Sequence, residues 1–211
     1  VTVPQKTGAT ISSARPRLSW TMLVLATALW LGLWYLTPGL LANGAGKFFT
    51  SDADVSILIE TNMALIIVIV LLLAHPRYNR VLFAHSRSGW LYALPLALAL
   101  TVPFRYELEA PVALYMFWMT VSVFWQNYLT FGLLQSYMRE RMPLWGVLVA
   151  SAVMFWIGHA VFLPQSFAPV HVLPSLSILA LGFVLASLRL ALKTLHLNLA
   201  LHLSFYFFLV A

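Results

Sequence analysis

Seven apolar stretches, at residues 18–41, 55–74, 88–104, 111–137, 143–163, 171–188 and 192–211, constrain this chain more than any other feature. About 20 apolar residues carry a helix across the hydrocarbon core of a bilayer, and six of the seven come near that length. The third is shorter and contains Pro95 and Pro103, so it is expected to tilt, break or re-enter. Only Arg189 and Lys193 separate the last two. Composition agrees, with 62% of the 211 residues apolar or aromatic and 9% charged, where a soluble domain carries about 25% charged residues. A water-soluble globule is excluded, and the expected fold is all-α, a polytopic transmembrane helical bundle of about seven spans.

The charges between the stretches test this division, because Lys and Arg concentrate in cytoplasmic loops. Lys6, Arg15 and Arg17 precede the first stretch, Arg77, Arg80 and Arg87 follow the second, Arg139 and Arg141 follow the fourth, and Arg189 and Lys193 follow the sixth. The alternate loops hold Lys47 and Arg105 beside Asp52, Asp54, Glu107 and Glu109. Strict alternation places the N-terminus, with a segment 1–17, in the cytoplasm and the C-terminus outside, in a bacterial inner membrane. The net charge of +6 then describes topology, and no nucleic acid partner is expected. The first stretch runs too long, and holds too many aromatic residues (Trp20, Trp30, Trp34, Tyr35), for the roughly 7–15-residue core of a signal peptide; it reads as a retained anchor. Trp20, Trp90 and Trp145 fall near span ends, whereas Trp118, Trp125 and Trp156 lie deeper, where they pack between helices or against lipid. Residues 1–211 read as one integral-membrane domain. The absence of Cys removes disulfides, thiolate metal sites and cysteine nucleophiles.

Polar residues inside spans are costly and point to function or helix association. They are Glu60 and Asn62 in span two, Gln126 and Asn127 in span four, His159 in span five, and His196, Asn198 and His202 in span seven. For Glu60 the simpler reading is a carboxylate snorkelling or pairing near the interface. Asn198, His202 and Tyr206 are spaced by four and share one helix face, which should meet protein, since hydrocarbon offers no partners. His196 points elsewhere, toward the headgroups.

Span four reads Trp125-Gln126-Asn127-Tyr128-Leu129-Thr130-Phe131-Gly132, with Arg139-Glu140-Arg141 beyond it; span five ends Phe155-Trp156-Ile157-Gly158-His159; span seven carries His202. This order over residues 111–206 resembles the core of the CPBP family, the CAAX-protease and bacteriocin-processing membrane proteins also called Abi proteins. The family's motifs are Glu-Glu-x-x-x-Arg, Phe-x-x-x-His and His-x-x-x-Asn. The second is intact here as Phe155 and His159. The departures fall on the chemistry: Gln126 and Asn127 stand at the glutamate pair, Phe131 at the Arg, and Tyr206 at the Asn after His202.

In the family's mechanism, as the resemblance implies it, a glutamate activates water for attack on a peptide carbonyl, while His and Asn side chains bind or stabilise the oxyanion. A general base of this kind contributes about 10²–10⁴-fold. An amide keeps the shape of a carboxylate but does not accept the proton. Loss of the Arg follows, because a retained guanidinium would become an unpaired buried charge. Of the six acids only Glu60 enters a predicted span, as a candidate substitute base. Gly-x-Ser-Gly, an intramembrane Asp pair and His-Glu-x-x-His are absent, and no metal site is expected.

The expected function is therefore a non-catalytic CPBP-like membrane protein, an accessory or structural subunit of a larger respiratory, photosynthetic or envelope complex. Its partners would be other integral membrane proteins and the lipid bilayer. Gly132, Gly146, Ala150, Ser151 and Gly158 would allow close helix approach. One alternative is an active protease using the displaced Glu60. The other is a subunit binding haem or a chlorophyll-type pigment through His159, His196 or His202, since imidazole is a common haem ligand; otherwise no cofactor is expected.

Overall fold

The computed structural model describes residues 18–39 and 44–209. The segment 1–17, with Lys6, Arg15 and Arg17, and the last two residues lie outside it. Among the described residues the chain is all helix and turn. The helices are α1 (Trp20–Trp34), α2 (Ala53–Ala74), α3 (Pro76–Leu82), α4 (Ala93–Thr101), α5 (Val112–Asn127), α6 (Gln135–Met138), α7 (Leu144–Phe162), α8 (Pro164–Phe167), α9 (Val172–Leu192) and α10 (His196–Phe208). Three of them, α2, α7 and α9, are long and apolar enough to cross a membrane, which suits an integral membrane protein.

Local chemistry sets the helix ends. Ser19 caps α1 by accepting from the Met22 N–H (3.1 Å), and Asp52 caps α2 by accepting from Val55 (2.9 Å); both satisfy donors that a first helical turn leaves free. Pro76 and Pro164 open α3 and α8 in the first turn, where a missing N–H costs nothing. The α1 helix is shorter than its apolar stretch, about 22 Å at 1.5 Å per residue. It stops before Pro38 and Gly39, and Gly39 holds φ +72°, a conformation that favours glycine. A Cβ there would overlap the Trp118 ring, whose indole N–H donates to Pro38 O at 2.8 Å. The third apolar stretch is broken: α4 is nine residues long, flanked by 3₁₀ turns at Arg87–Tyr92 and Val102–Phe104.

The segment that carries the resemblance is the axis of the bundle. It is helical without interruption from Val112 to Met138, about 40 Å, and every residue from Trp125 to Ser136 is buried. Helix α2 packs along α5, α10 packs on α4 and α5, and α7 pairs with α9. Tyr128–Leu134 form a π-helical stretch, in which the Gln135 N–H reaches back five residues to Thr130 O. Such wide turns are rare and occur often at functional sites. The spacing of residues gave no sign of it, since span four reads as one regular helix.

The two ends of the bundle differ in charge. At one end the Leu18 N–H donates to Glu140 (3.0 Å), Tyr78 donates to Glu140 (2.8 Å), Arg77 pairs with it (3.2 Å), and the Leu195 N–H reaches Leu82 O (2.9 Å). The residues just before α1, around α3, after α6 and before α10 therefore meet there. At the other end Arg105 donates to the carbonyls of Phe207 and Phe208, joining the loop before α5 to the end of α10.

Candidate functional site

Three helices bring the family-like positions together around Phe155. Asn127, one residue before the π-helical stretch, donates from Nδ2 to Val123 O and to His202 Nδ1, both at 2.8 Å. This makes His202 Nδ1 an acceptor and leaves its proton on Nε2. His159 lies one turn after Phe155 on α7, and its Nδ1 donates to Phe155 O at 2.9 Å. The Phe155 ring touches both imidazoles, with centroids 4.6 Å from His159 and 6.1 Å from His202. Phe131 packs on the same ring at 5.2 Å, and Tyr206 stacks on His202 at 5.3 Å.

The cluster is sealed. Asn127, Phe131 and Phe155 are fully buried, His159 is 3% exposed and His202 4%. Trp34 closes the His159 side, 5.3 Å from that ring and 5.9 Å from Phe155, and Gly158 permits the approach, since a Cβ there would stand 2.6 Å from the Trp34 ring. Phe167 covers His159 from α8 at 5.5 Å. A neutral amide, two imidazoles and five aromatic rings can hold helices in register, but none of them is a carboxylate that could take a proton from water. Among the described residues the Oδ1 of Asn127 and the Nε1 of Trp34 are buried without a partner.

The other candidates lie elsewhere. Gln126 is buried and donates to Ser122 Oγ within its own helix (3.2 Å), leaving Oε1 unpartnered. Glu60 is buried at the far end of α2. It accepts from the backbone N–H groups of Gly46 (3.1 Å) and Gly39 (3.4 Å), and a side chain on Gly44 or Gly46 would collide with Glu60 or Ser56. Its carboxylate ties Gly39 and Gly46, which lie between α1 and α2. His196 sits between Tyr92 and the carbonyl of Ala84. Asn198 donates to Leu185 O (2.9 Å), so the face shared by Asn198, His202 and Tyr206 meets α9 and α5. Asn62 bonds Leu58 O within α2. Trp156 reaches Ser175 Oγ (2.7 Å), and Trp125 is fully buried.

Two features escaped the sequence reading. The apolar stretches leave Arg189 between spans, yet α9 continues to Leu192, so its side chain is inside the bundle and 3% exposed. The second is a cavity of about 430 Å³ beside the cluster rather than in it, between α1 and the central helix. Leu25, Leu29, Leu71 and Leu133 line it, and His75 and Tyr137 close one end, bonded to each other at 2.6 Å. Among the described residues no group of three or more His, Cys, Asp or Glu is arranged to hold a metal. No family model, curated protein or solved structure matches the chain.

Proposed function

We propose that this chain is a CPBP-like integral membrane protein without catalytic activity, serving as an accessory or structural subunit of a larger membrane assembly. The observation that supports this most is the Asn127–His202 hydrogen bond between α5 and α10. With Phe155 touching both histidines, it joins the three segments that resemble the family's motifs, and it does so with a neutral amide where the chemistry needs a base. The seven apolar stretches would then cross about seven times, with the Glu140 end cytoplasmic. The sealed cluster acts as internal scaffolding, since interhelical bonds of this type average about 0.6 kcal/mol and reach about 1.7. A protease working through Glu60 gains nothing from the geometry, because that carboxylate is occupied by the backbone of Gly39 and Gly46.

The test is purification of the full chain from its native membrane in mild detergent, with mass spectrometry of co-eluting proteins. The expected result is one or more integral membrane proteins in fixed stoichiometry. A monomer that cleaves peptides, with activity lost in Glu60→Gln, would overturn the reading.

A further inference from the structure

Among the described residues Arg189 is a buried cation without a counter-ion. Its Nη2 donates to Ser136 Oγ at 3.4 Å, and among the described residues neither Nε nor Nη1, both buried, meets an acceptor. A guanidinium carries five donors, and leaving a buried charge uncompensated is among the most expensive arrangements a fold can hold. The chain itself offers no remedy. All six acids fall within the described residues. Five of them, Asp52, Asp54, Glu60, Glu107 and Glu109, belong to the opposite end of the bundle. The sixth, Glu140, is taken up by Leu18, Tyr78 and Arg77.

The surroundings add positive charge. Arg139 lies within Coulombic range of Arg189, and Lys193 follows one turn later, its N–H bonded to Arg189 O at 3.0 Å. Both side chains are exposed. Gln135, whose Nε2 holds Ala186 O one turn before Arg189, also leaves its Oε1 unpartnered. Two cations therefore face each other where α6 meets the end of α9, and Lys193 follows one turn beyond.

We infer that this corner binds the phosphate of an anionic phospholipid headgroup in the cytoplasmic leaflet. Basic pockets between helices on that side of a membrane are suited to such headgroups. Arg189 reaches the phosphate by extending from its long Ser136 contact toward Arg139, as arginines near span ends do when they snorkel. Arg139 and Lys193 then hold the same group from the rim. The inference rests on the cytoplasmic placement of this end in the proposal above. It needs nothing of the subunit role, and partner purification and lipid binding are read separately.

The experiment uses the full chain, stripped of lipid in detergent, with the unfolding midpoint followed as phosphatidylglycerol, phosphatidylcholine or inorganic phosphate is added. Phosphatidylglycerol should raise the midpoint saturably and phosphatidylcholine should not. Arg189→Gln should abolish the shift. If that variant fails to fold, Arg139→Gln combined with Lys193→Gln, both at exposed positions, should weaken the apparent affinity at least about tenfold. Equal shifts from the two lipids, or a phosphatidylglycerol shift unchanged in the double variant, would overturn the inference. Inorganic phosphate alone reproducing the shift would overturn the lipid assignment. An unshifted midpoint under every addition would overturn it as well, leaving a partner protein's carboxylate as the counter-ion.

Discussion

Two buried polar regions share the central helix and solve different problems. Around Phe155 the polar groups are neutral: Asn127 and His159 each donate to a carbonyl one turn back, and Asn127 also meets His202. Such groups can be satisfied by backbone and by each other, so aromatic rings can close over them. At the end of α9 the polar group is a guanidinium, with one donor engaged and two nitrogens unmet. A fold can seal in an amide, but it has to find a negative charge for an arginine. The first region therefore reads as internal structure and the second as a place completed from outside.

The comparison breaks most easily at Phe155, because its ring is the contact common to Phe131, Trp34, His159 and His202. Phe155→Ala should cost about 3–5 kcal/mol, the usual range for removing a buried aromatic, read as a fall in the unfolding midpoint in detergent. A loss below about 1 kcal/mol would mean that the cluster is loosely packed and open to ligands. Next is Gly158→Val, which drives a side chain into the Trp34 ring. Overpacking of this sort costs about 1–3 kcal/mol, and tryptophan emission should shift as Trp34 leaves its site. Smaller again is Asn127→Leu. It removes the bond to His202 while roughly keeping volume, so about 1 kcal/mol is expected, between the 0.6 average for interhelical bonds in membranes and the cost of an orphaned buried group. Unchanged stability would show that the bond contributes position and no energy.

The positions of the helices were open to the sequence because bilayer thickness and loop charge are properties of runs of residues. The seven apolar stretches each contain a described helix, and proline marks where α3 and α8 begin. The meeting of Asn127, His159 and His202 was harder to see, since it depends on how three helices distant in sequence pack, with Phe155 between the two imidazoles. The π-helical stretch was hidden because no residue spacing marks it; within it Thr130 accepts from the Trp30 indole (3.1 Å). Arg189 was misplaced for a simpler reason: a charge in an apolar run reads as a loop when helix ends are set by hydropathy alone. That no Asp or Glu follows span six on the same side was the available signal that its charge is unmatched.

The smallest expected effect concerns Glu140, whose engagement keeps it from serving Arg189. Tyr78 donates to Glu140 Oε1, and burial together with that hydrogen bond holds the Tyr78 hydroxyl well above the ordinary tyrosine value of about 10. The folded state therefore binds this proton more tightly than the unfolded chain. The resulting stability is complete below about pH 10 and is lost as pH rises beyond it, since the unfolded tyrosine ionises first. From about pH 10 upward the unfolding midpoint should fall, and fall less steeply in Tyr78→Phe than in the parent chain. Matching slopes would show that Tyr78 does not hold Glu140. That carboxylate would then be available to the basic corner, and the contrast between a neutral cluster closed by aromatic rings and an arginine awaiting an anion would lose its ground.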